Sequence, residues 1–355
     1  MKILLANPFG IGDVLFSLPM GYALRDAFPQ ASLQYLCNRR TEEIVRRWPI
    51  IDRVFVFEKD EFKERWRRSR GEGLSFLGSV LAPIRREGFD LLMDLSLGWQ
   101  YSFLGWWVGI PRRIGFDFRR RGRFLTDRLP LEGFDAQPVW RYYTDLLWLL
   151  QIPAPRRPEL SLPLTADDQA AAQGRLRELG IPEEAQRIGL VPGGGISWGP
   201  MASFKQWPVE RFAELAGNLL DRSGTQLLLF GDSRERPLCL QLQQALPAGR
   251  AWVMETPSLA LLAALLRSCR LVIGNDSGPM HLAEAVGTPT VSLFGPVDAS
   301  VYGPLVSDRH RVVARSLACR PCYRNFRFPP CPWDNACLKG LSVEEVLHAV
   351  HEILS

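Results

Sequence analysis

A chain of 355 residues, 46% apolar with a net charge of +5, is long enough for two domains and apolar enough to fill their cores. No run approaches the ~20 consecutive apolar residues that span a bilayer. The apolar start MKILLANPFGIGDVLF is interrupted by Asn7 and Asp13 and lacks a small-residue cleavage site, so the expectation is a protein made and kept in the cytosol. The charge is uneven, with 25 Lys and Arg against 19 Asp and Glu in residues 1–165, and 18 against 19 in the remainder. The excess gathers in Lys63–Arg70 and in Arg112–Arg123, which holds Arg112, Arg113, Arg119, Arg120 and Arg121. One such cluster reads as a solvated face. Two in one half predict an acidic partner: anionic lipid, phosphorylated glycan or nucleic acid. No helix-turn-helix, basic zipper or RNA-recognition pattern supports the last of these.

In chain order, Lys2–Ala6 is an apolar run suited to a buried parallel strand. The turn Asn7–Asp13 follows, then an apolar helix to Phe28 that Pro19 should kink. Strand, glycine turn and helix invite a dinucleotide reading, but Leu15 stands where the third glycine of that fingerprint belongs. What the turn offers is a carboxylate, Asp13, at a helix mouth, where it is either a cap or a base. Strands are predicted at 32–36, 53–57, 89–95 and 113–116. Helices are predicted at 41–48, 62–86 with a break near Gly71–Gly73, 101–108 and 140–150. Residues 151–164, with four prolines, read as a linker.

A second α/β series follows. A helix starts at Thr165 or Asp167 and ends at Gly180, a strand runs over 187–191, then the glycine loop Pro192–Gly195 follows, where backbone can approach a ligand closely. Phe204–Lys205–Gln206–Trp207–Pro208 precedes a helix to Leu220, and strand 226–230 ends in Gly231–Asp232–Ser233–Arg234–Glu235. A helix over 259–268 leads to LVIGNDSGPMHLAEAVGTPTVSLFGP, Leu271–Pro296, one strand–turn–helix–strand unit. Pro279 sits where a helix starts and Gly287 where it stops. The free amides of that helix start favour an anion, most often phosphate, although Asp or Ser before Pro is also an ordinary cap. The final helix opens on Ser342 and Glu345 with capping-box spacing.

The 271–296 string closely resembles the donor-binding motif of the heptosyltransferases, glycosyltransferases that use ADP-heptose to build lipopolysaccharide inner core. Gly12–Asp13 before an apolar run with Leu18–Pro19 resembles their amino-terminal motif, and Lys205-Gln-Trp-Pro resembles their Lys-x-Trp-Pro. The resemblance implies an α/β protein of the GT-B fold, with two Rossmann-like domains facing across a cleft. It implies Asp13 as the base, Lys205 on the donor phosphates and Asp276 on the heptose. Ser277 and Gly278 would hold phosphate, His281 completes the Asp-Ser/Thr-Gly-x-x-His pattern, and Glu235 would touch the donor ribose or base. The adenine pocket falls at Met254–Leu259 by position. The loop to Lys205 is longer than the family pattern, and Trp198–Gly199–Pro200 has no counterpart there.

Cys319, Cys322, Cys331 and Cys337 lie within twenty residues with a C-x2-C spacing that can hold zinc or iron. Cysteine-rich segments occur before the last helix in the resembling family, and one of them holds iron. Reduced, unligated thiols are the other reading.

The expected domains are an acceptor-binding unit over 1–164, a donor-binding unit over 165–339 carrying the cysteine loop 319–337, and a closing helix over 340–355 packing back toward the first unit. The expected activity is inverting transfer of heptose from ADP-L-glycero-D-manno-heptose to an acidic lipopolysaccharide inner-core acceptor at the inner membrane surface. No Asp-x-Asp occurs, which fits chemistry without a metal cofactor. The rivals are a related transferase with another nucleotide sugar or a protein acceptor, an epimerase of the same fold, which would need several acid/base groups, and a non-catalytic sugar-nucleotide-binding protein.

Overall fold

A computed structural model describes residues 1–156, 158, 160–304 and 308–355; the side chains of 196–200, which include Trp198–Gly199–Pro200, lie outside the described residues. The chain divides into two compact units, Met1–Leu160 and Ser161–Ser355.

The first unit holds a six-stranded sheet of β1 (Lys2–Ala6), β2 (Ser32–Cys37), β3 (Arg53–Val56), β4 (Leu91–Asp94), β5 (Arg112–Phe118) and β6 (Asp127–Leu131), in the order β3-β2-β1-β4-β5-β6. Every pairing is parallel. β1 is nearly all buried, as a central strand covered on both faces requires. The helix expected over 14–28 is two, Ile11–Phe16 and Leu18–Ala27, because Pro19 cannot donate to the carbonyl of Leu15. Ser17 sits at the break and donates its hydroxyl to the Val14 carbonyl at 2.7 Å. In the basic region the break falls at Ser69, whose hydroxyl caps the helix Arg70–Glu87, two residues before the expected glycines.

The second unit repeats the plan with β7 (Gln186–Val191), β8 (Thr225–Phe230), β9 (Ala251–Met254), β10 (Leu271–Asn275), β11 (Thr290–Leu293) and β12 (His310–Val313). Their order is β12-β11-β10-β7-β8-β9, again all parallel. Counted from the first strand of each unit, both orders are the doubly wound 3-2-1-4-5-6 arrangement. Its direction reverses between β1 and β4 in one unit and between β7 and β10 in the other. Ligands of such sheets bind beyond the carboxyl ends of the strands at that switch point. The last helix spans Val343–Leu354. Val343, Val346 and Val350 complete the second unit's own core, because this stripe matches the face left open by the helix Val209–Leu220 and β12. Its Ser342–Glu345 capping box is formed as expected.

Candidate functional site

Three segments meet at the β7/β10 switch point of the second unit. β7 runs into the loop Pro192–Gly195, a 3-10 turn over Ile196–Lys205 returns the chain, and β10 ends in Asn275 before the turn Asp276–Gly278. Asn275 is fully buried and ties them together. Its Oδ1 accepts from the Trp207 amide at 3.0 Å, and its Nδ2 donates to the carbonyls of Pro192 at 2.7 Å and Gly193 at 3.3 Å. The glycines are needed by close approach: a Cβ on Gly193 would stand 2.0 Å from Glu235 Oε1, and one on Gly194 would stand 2.2 Å from the Ala202 carbonyl.

Lys205 points inward. Its ammonium lies 2.7 Å from Asp276 Oδ2, with the two side chains only 3% and 7% exposed. His281 Nε2 is 3.8 Å from the other oxygen of Asp276. This is a neutral imidazole beside a carboxylate. Burial first, with the neighbouring Lys205 opposing the pull of Asp276, brings the His281 pKa down to about 4. Ser277 opens the helix Gly278–Ala285 but does not cap it with its side chain, and its buried hydroxyl has no hydrogen-bond partner. Buried hydroxyls are normally paired. An orphan one at a helix amino terminus, beside a buried lysine, is suited to an oxyanion ligand that takes bonds from both.

The structure thus brings Lys205, Asp276, Ser277, Gly278 and His281 into one site. Glu235 faces the glycine loop. Its carboxylate accepts from the Gly195 amide at 3.0 Å and, more weakly, from the Asp232 amide at 3.4 Å, and burial raises its pKa. It holds the glycine loop in shape.

In the first unit, Asp13 lies in the first turn of the helix Ile11–Phe16, directly beyond β1 at the other switch point. The fully buried Tyr143 places its hydroxyl 3.4 Å from Asp13 Oδ1, and Asn7 Nδ2 holds the Asp13 carbonyl at 3.1 Å. Across the same switch point, β4 ends in Asp94, paired in register with Ala6. Asp94 is buried, accepts from the Ser96 amide at 2.9 Å, and has its pKa pushed up to about 7, chiefly by burial. Tyr143, Asp94 and Asn275 were not singled out by sequence. Asn275 reads as turn, Asp94 as the end of a strand, and Tyr143 lies 130 residues from its partner.

The arginines separate. Arg112 bridges Asp127 at 3.2 Å and bonds the Leu149 carbonyl. Arg113, half-buried, donates to the carbonyls of Phe124 at 2.6 Å and Pro111 at 3.1 Å. Both are committed to internal contacts, whereas Arg119, Arg120 and Arg121 are exposed. The other basic cluster is largely neutralised within its helix by Lys63–Asp60, Arg65–Glu61 and Arg68–Glu64 pairs and reads as a solvated face.

The described residues lend the metal reading of the cysteines no support. All seven cysteines are free, and among the described residues no group of three or more His, Cys, Asp or Glu side chains is placed to hold an ion. Cys319, Cys322, Cys331 and Cys337 do line one shallow pocket beside Phe204 and Trp333. Burial raises the pKa of the Cys322 and Cys337 thiols, and Cys331 Sγ accepts from the Asn335 amide at 3.4 Å.

A family model described as glycosyltransferase family 9 (heptosyltransferase) matches residues 78–328. The chain belongs to that family. Lipooligosaccharide heptosyltransferase 2 of Campylobacter jejuni is 30% identical over 358 residues, covering 99% of each chain. Lipopolysaccharide heptosyltransferase 2 of Escherichia coli K12 is 26% identical over 325 residues, covering 88% of each. The solved structure of the E. coli ADP-heptose lipopolysaccharide heptosyltransferase II superposes with a TM-score of 0.79 at 22% identity, over 100% of this chain and 98% of that one. The fold of this family 9 chain is therefore the GT-B fold, and its two switch-point sites are the places where that fold can bind and react.

Proposed function

We propose that this family 9 chain transfers heptose from ADP-L-glycero-D-manno-heptose to an acidic acceptor in lipopolysaccharide inner core, in the cytosol at the inner membrane surface. The proposal takes 1–164 as the acceptor-binding unit and 165–339 as the donor-binding unit. The carrying observation is the buried Lys205 ammonium beside the orphan Ser277 hydroxyl at a helix amino terminus. That set fits a diphosphate. The lysine supplies a compensating charge, and the Ser277 and Gly278 amides supply oriented donors. Asp276 is placed beside the phosphate group to accept from sugar hydroxyls once Lys205 turns to the diphosphate.

Asp13 carries the proton transfer. Its carboxylate takes the proton of the acceptor hydroxyl, whose oxygen bonds to the anomeric carbon as the bond from that carbon to the diphosphate oxygen breaks. ADP departs with its added charge held by Lys205 and the 277–278 amides, so the chemistry needs no metal cofactor. One carboxylate acting opposite the leaving group gives inversion. The exposed Arg119, Arg120 and Arg121 favour an acidic acceptor. The deciding experiment is a donor screen of ADP- and UDP-sugars against deacylated lipopolysaccharide cores. Turnover with ADP-heptose and product of inverted anomeric configuration are expected. Preference for a UDP-sugar, or ADP-sugar binding without turnover, would replace this reading.

A further inference from the structure

The helix Gln100–Trp107 has two apolar faces where a surface helix needs one. Its inner face, with Tyr101 and Leu104, packs on the first unit's core. Its outer face carries Phe103, Trp106 and Trp107, and both tryptophans are about half exposed, at 53% and 52%. The loop between β5 and β6 folds over this outer face. Phe124 stands 5.0 Å from Phe103 and 5.8 Å from Trp106, and Trp99, also exposed, stands 5.7 Å from Phe103 and 6.2 Å from Phe124. The five rings make one continuous aromatic surface outside the core, a feature that in soluble proteins marks a contact face.

Its rim is cationic. The Arg123 guanidinium lies over the rings of Trp99 at 5.2 Å and Phe124 at 4.7 Å, and the exposed Arg119, Arg120 and Arg121 lie on the same loop, Arg119 and Arg121 over the Phe118 ring. The carboxylate on the adjoining strand, Asp117, is turned to the Gly122 amide at 2.9 Å and to Arg128 at 3.5 Å. Arg112 has Asp127, but among the described residues Arg120, Arg121 and Arg123 have no carboxylate partner. Tryptophan, with an apolar body and a polar N–H edge, is the side chain of the lipid headgroup region, and arginine binds phosphate diesters in bidentate fashion. No helix among the described residues is long and apolar enough to cross a membrane.

We propose that this aromatic face and its arginine rim dock the first unit onto the headgroup region of an anionic lipid bilayer, with Trp106 and Trp107 inserted and Arg120, Arg121 and Arg123 on lipid phosphates. The proposal does not depend on which sugar is transferred.

The test is flotation of the full chain with vesicles of phosphatidylcholine alone or mixed with phosphatidylglycerol, at low and physiological salt. The wild type is expected to float with the phosphatidylglycerol vesicles and to stay behind with phosphatidylcholine. W106S/W107S lowers that partition roughly tenfold through lost apolar insertion. Removing three cations at about fivefold each makes R120Q/R121Q/R123Q weaker by about a hundredfold and much less sensitive to salt. The changed side chains are exposed, so the melting midpoint stays within a few degrees; R120K/R121K/R123K, which keeps the charge, retains binding and guards against a folding artefact. Flotation equal on both lipids, variants that float like the wild type, or a wild-type dimer that W106S/W107S dissociates would each overturn the proposal.

Discussion

Replacing Lys205 with methionine tests the donor site by its electrostatics alone. The ammonium and the Asp276 carboxylate are 2.7 Å apart and almost wholly buried. Removing one partner of a buried pair leaves the other charge uncompensated, at a cost of about 3–5 kcal/mol. Asp276 would then face the His281 imidazole, neutral in the wild type with a pKa near 4. Lys205 is one cause of that low value, so K205M should raise it. In the wild type, unfolded histidine binds a proton below about 6.5 while folded His281 does not, so this group's contribution is present above 6.5 and is lost as pH falls toward 4. In K205M the folded imidazole can take the proton and become the counter-ion of Asp276. The deficit of K205M against wild type should therefore be largest near pH 8 and shrink toward pH 5. Hydrogen exchange of the β10 amides reads the second unit by itself. K205M/D276N, with both charges gone, should recover most of the loss, since a neutral pair of similar volume is often tolerated. A K205M deficit below about 1 kcal/mol, or a deficit that does not change with pH, would refute the reasoning.

Asp13→Asn should abolish transfer while ADP affinity, measured calorimetrically, stays within a few-fold; a parallel loss of ADP binding would make Asp13 structural. Ser277→Ala should move stability and binding in opposite senses. Losing an unpaired buried hydroxyl is neutral or mildly stabilising, while ADP binding weakens roughly tenfold, so a destabilised S277A with unchanged affinity counts against the phosphate role. Asn275→Ala removes the bonds that join Pro192, Gly193 and Trp207 and should cost about 2–4 kcal/mol in denaturant melts, a cost below 1 kcal/mol showing that the loop is held by other contacts. Asp94 has a raised pKa, so its contribution to stability is full below about 3.8 and is lost as pH rises through about 7. D94N should flatten the first unit's stability between those limits, and a profile unchanged from wild type would remove Asp94 as the cause.

The central strands were legible because burial on both faces writes them as apolar runs, as in Leu271–Asn275 and Lys2–Ala6. The strands missed outright, β6, β9 and β12, are all at the sheet edges and partly exposed; β6 and β12 carry polar residues that break any apolar run, and the apolar run of β9 is only four residues long. β6 even carries Pro130, which an edge strand tolerates because one of its sides needs no donor. The site was legible residue by residue where a turn and a helix start coincide, at Asp13 and at Asp276–Gly278. It was not legible where function lies in a contact. Lys205 and Asp276 are 71 residues apart, and nothing local says that a lysine before Trp-Pro will be buried on a carboxylate. The four cysteines were legible as a cluster, and they do line one pocket, but spacing alone does not say whether thiols turn to one point as ligation requires.

The same strand order, used twice, assigns the two switch points different chemistry through the residues that follow each first strand. After β7 the chain gives up side chains: Gly193 and Gly194 let backbone close in, and the only charge admitted is the lysine that ends the loop. With the helix start of the 276–278 turn beside it, this produces a site whose fixed dipoles favour an anion whatever sugar it carries. After β1 the chain instead places a carboxylate in the first turn of a helix, held by Asn7 and Tyr143, with a second carboxyl across the same point. A carboxylate at that point, without consecutive glycines or an orphan hydroxyl, fits the proton transfer proposed for Asp13 better than donor binding. Exchanging the features would show this. Asp13→Lys should not create a second nucleotide site, because the 7–13 turn lacks consecutive glycines and an orphan hydroxyl. A D13K chain that binds two ADP by calorimetry would refute the assignment of the anion site to backbone and helix start rather than to the lysine alone.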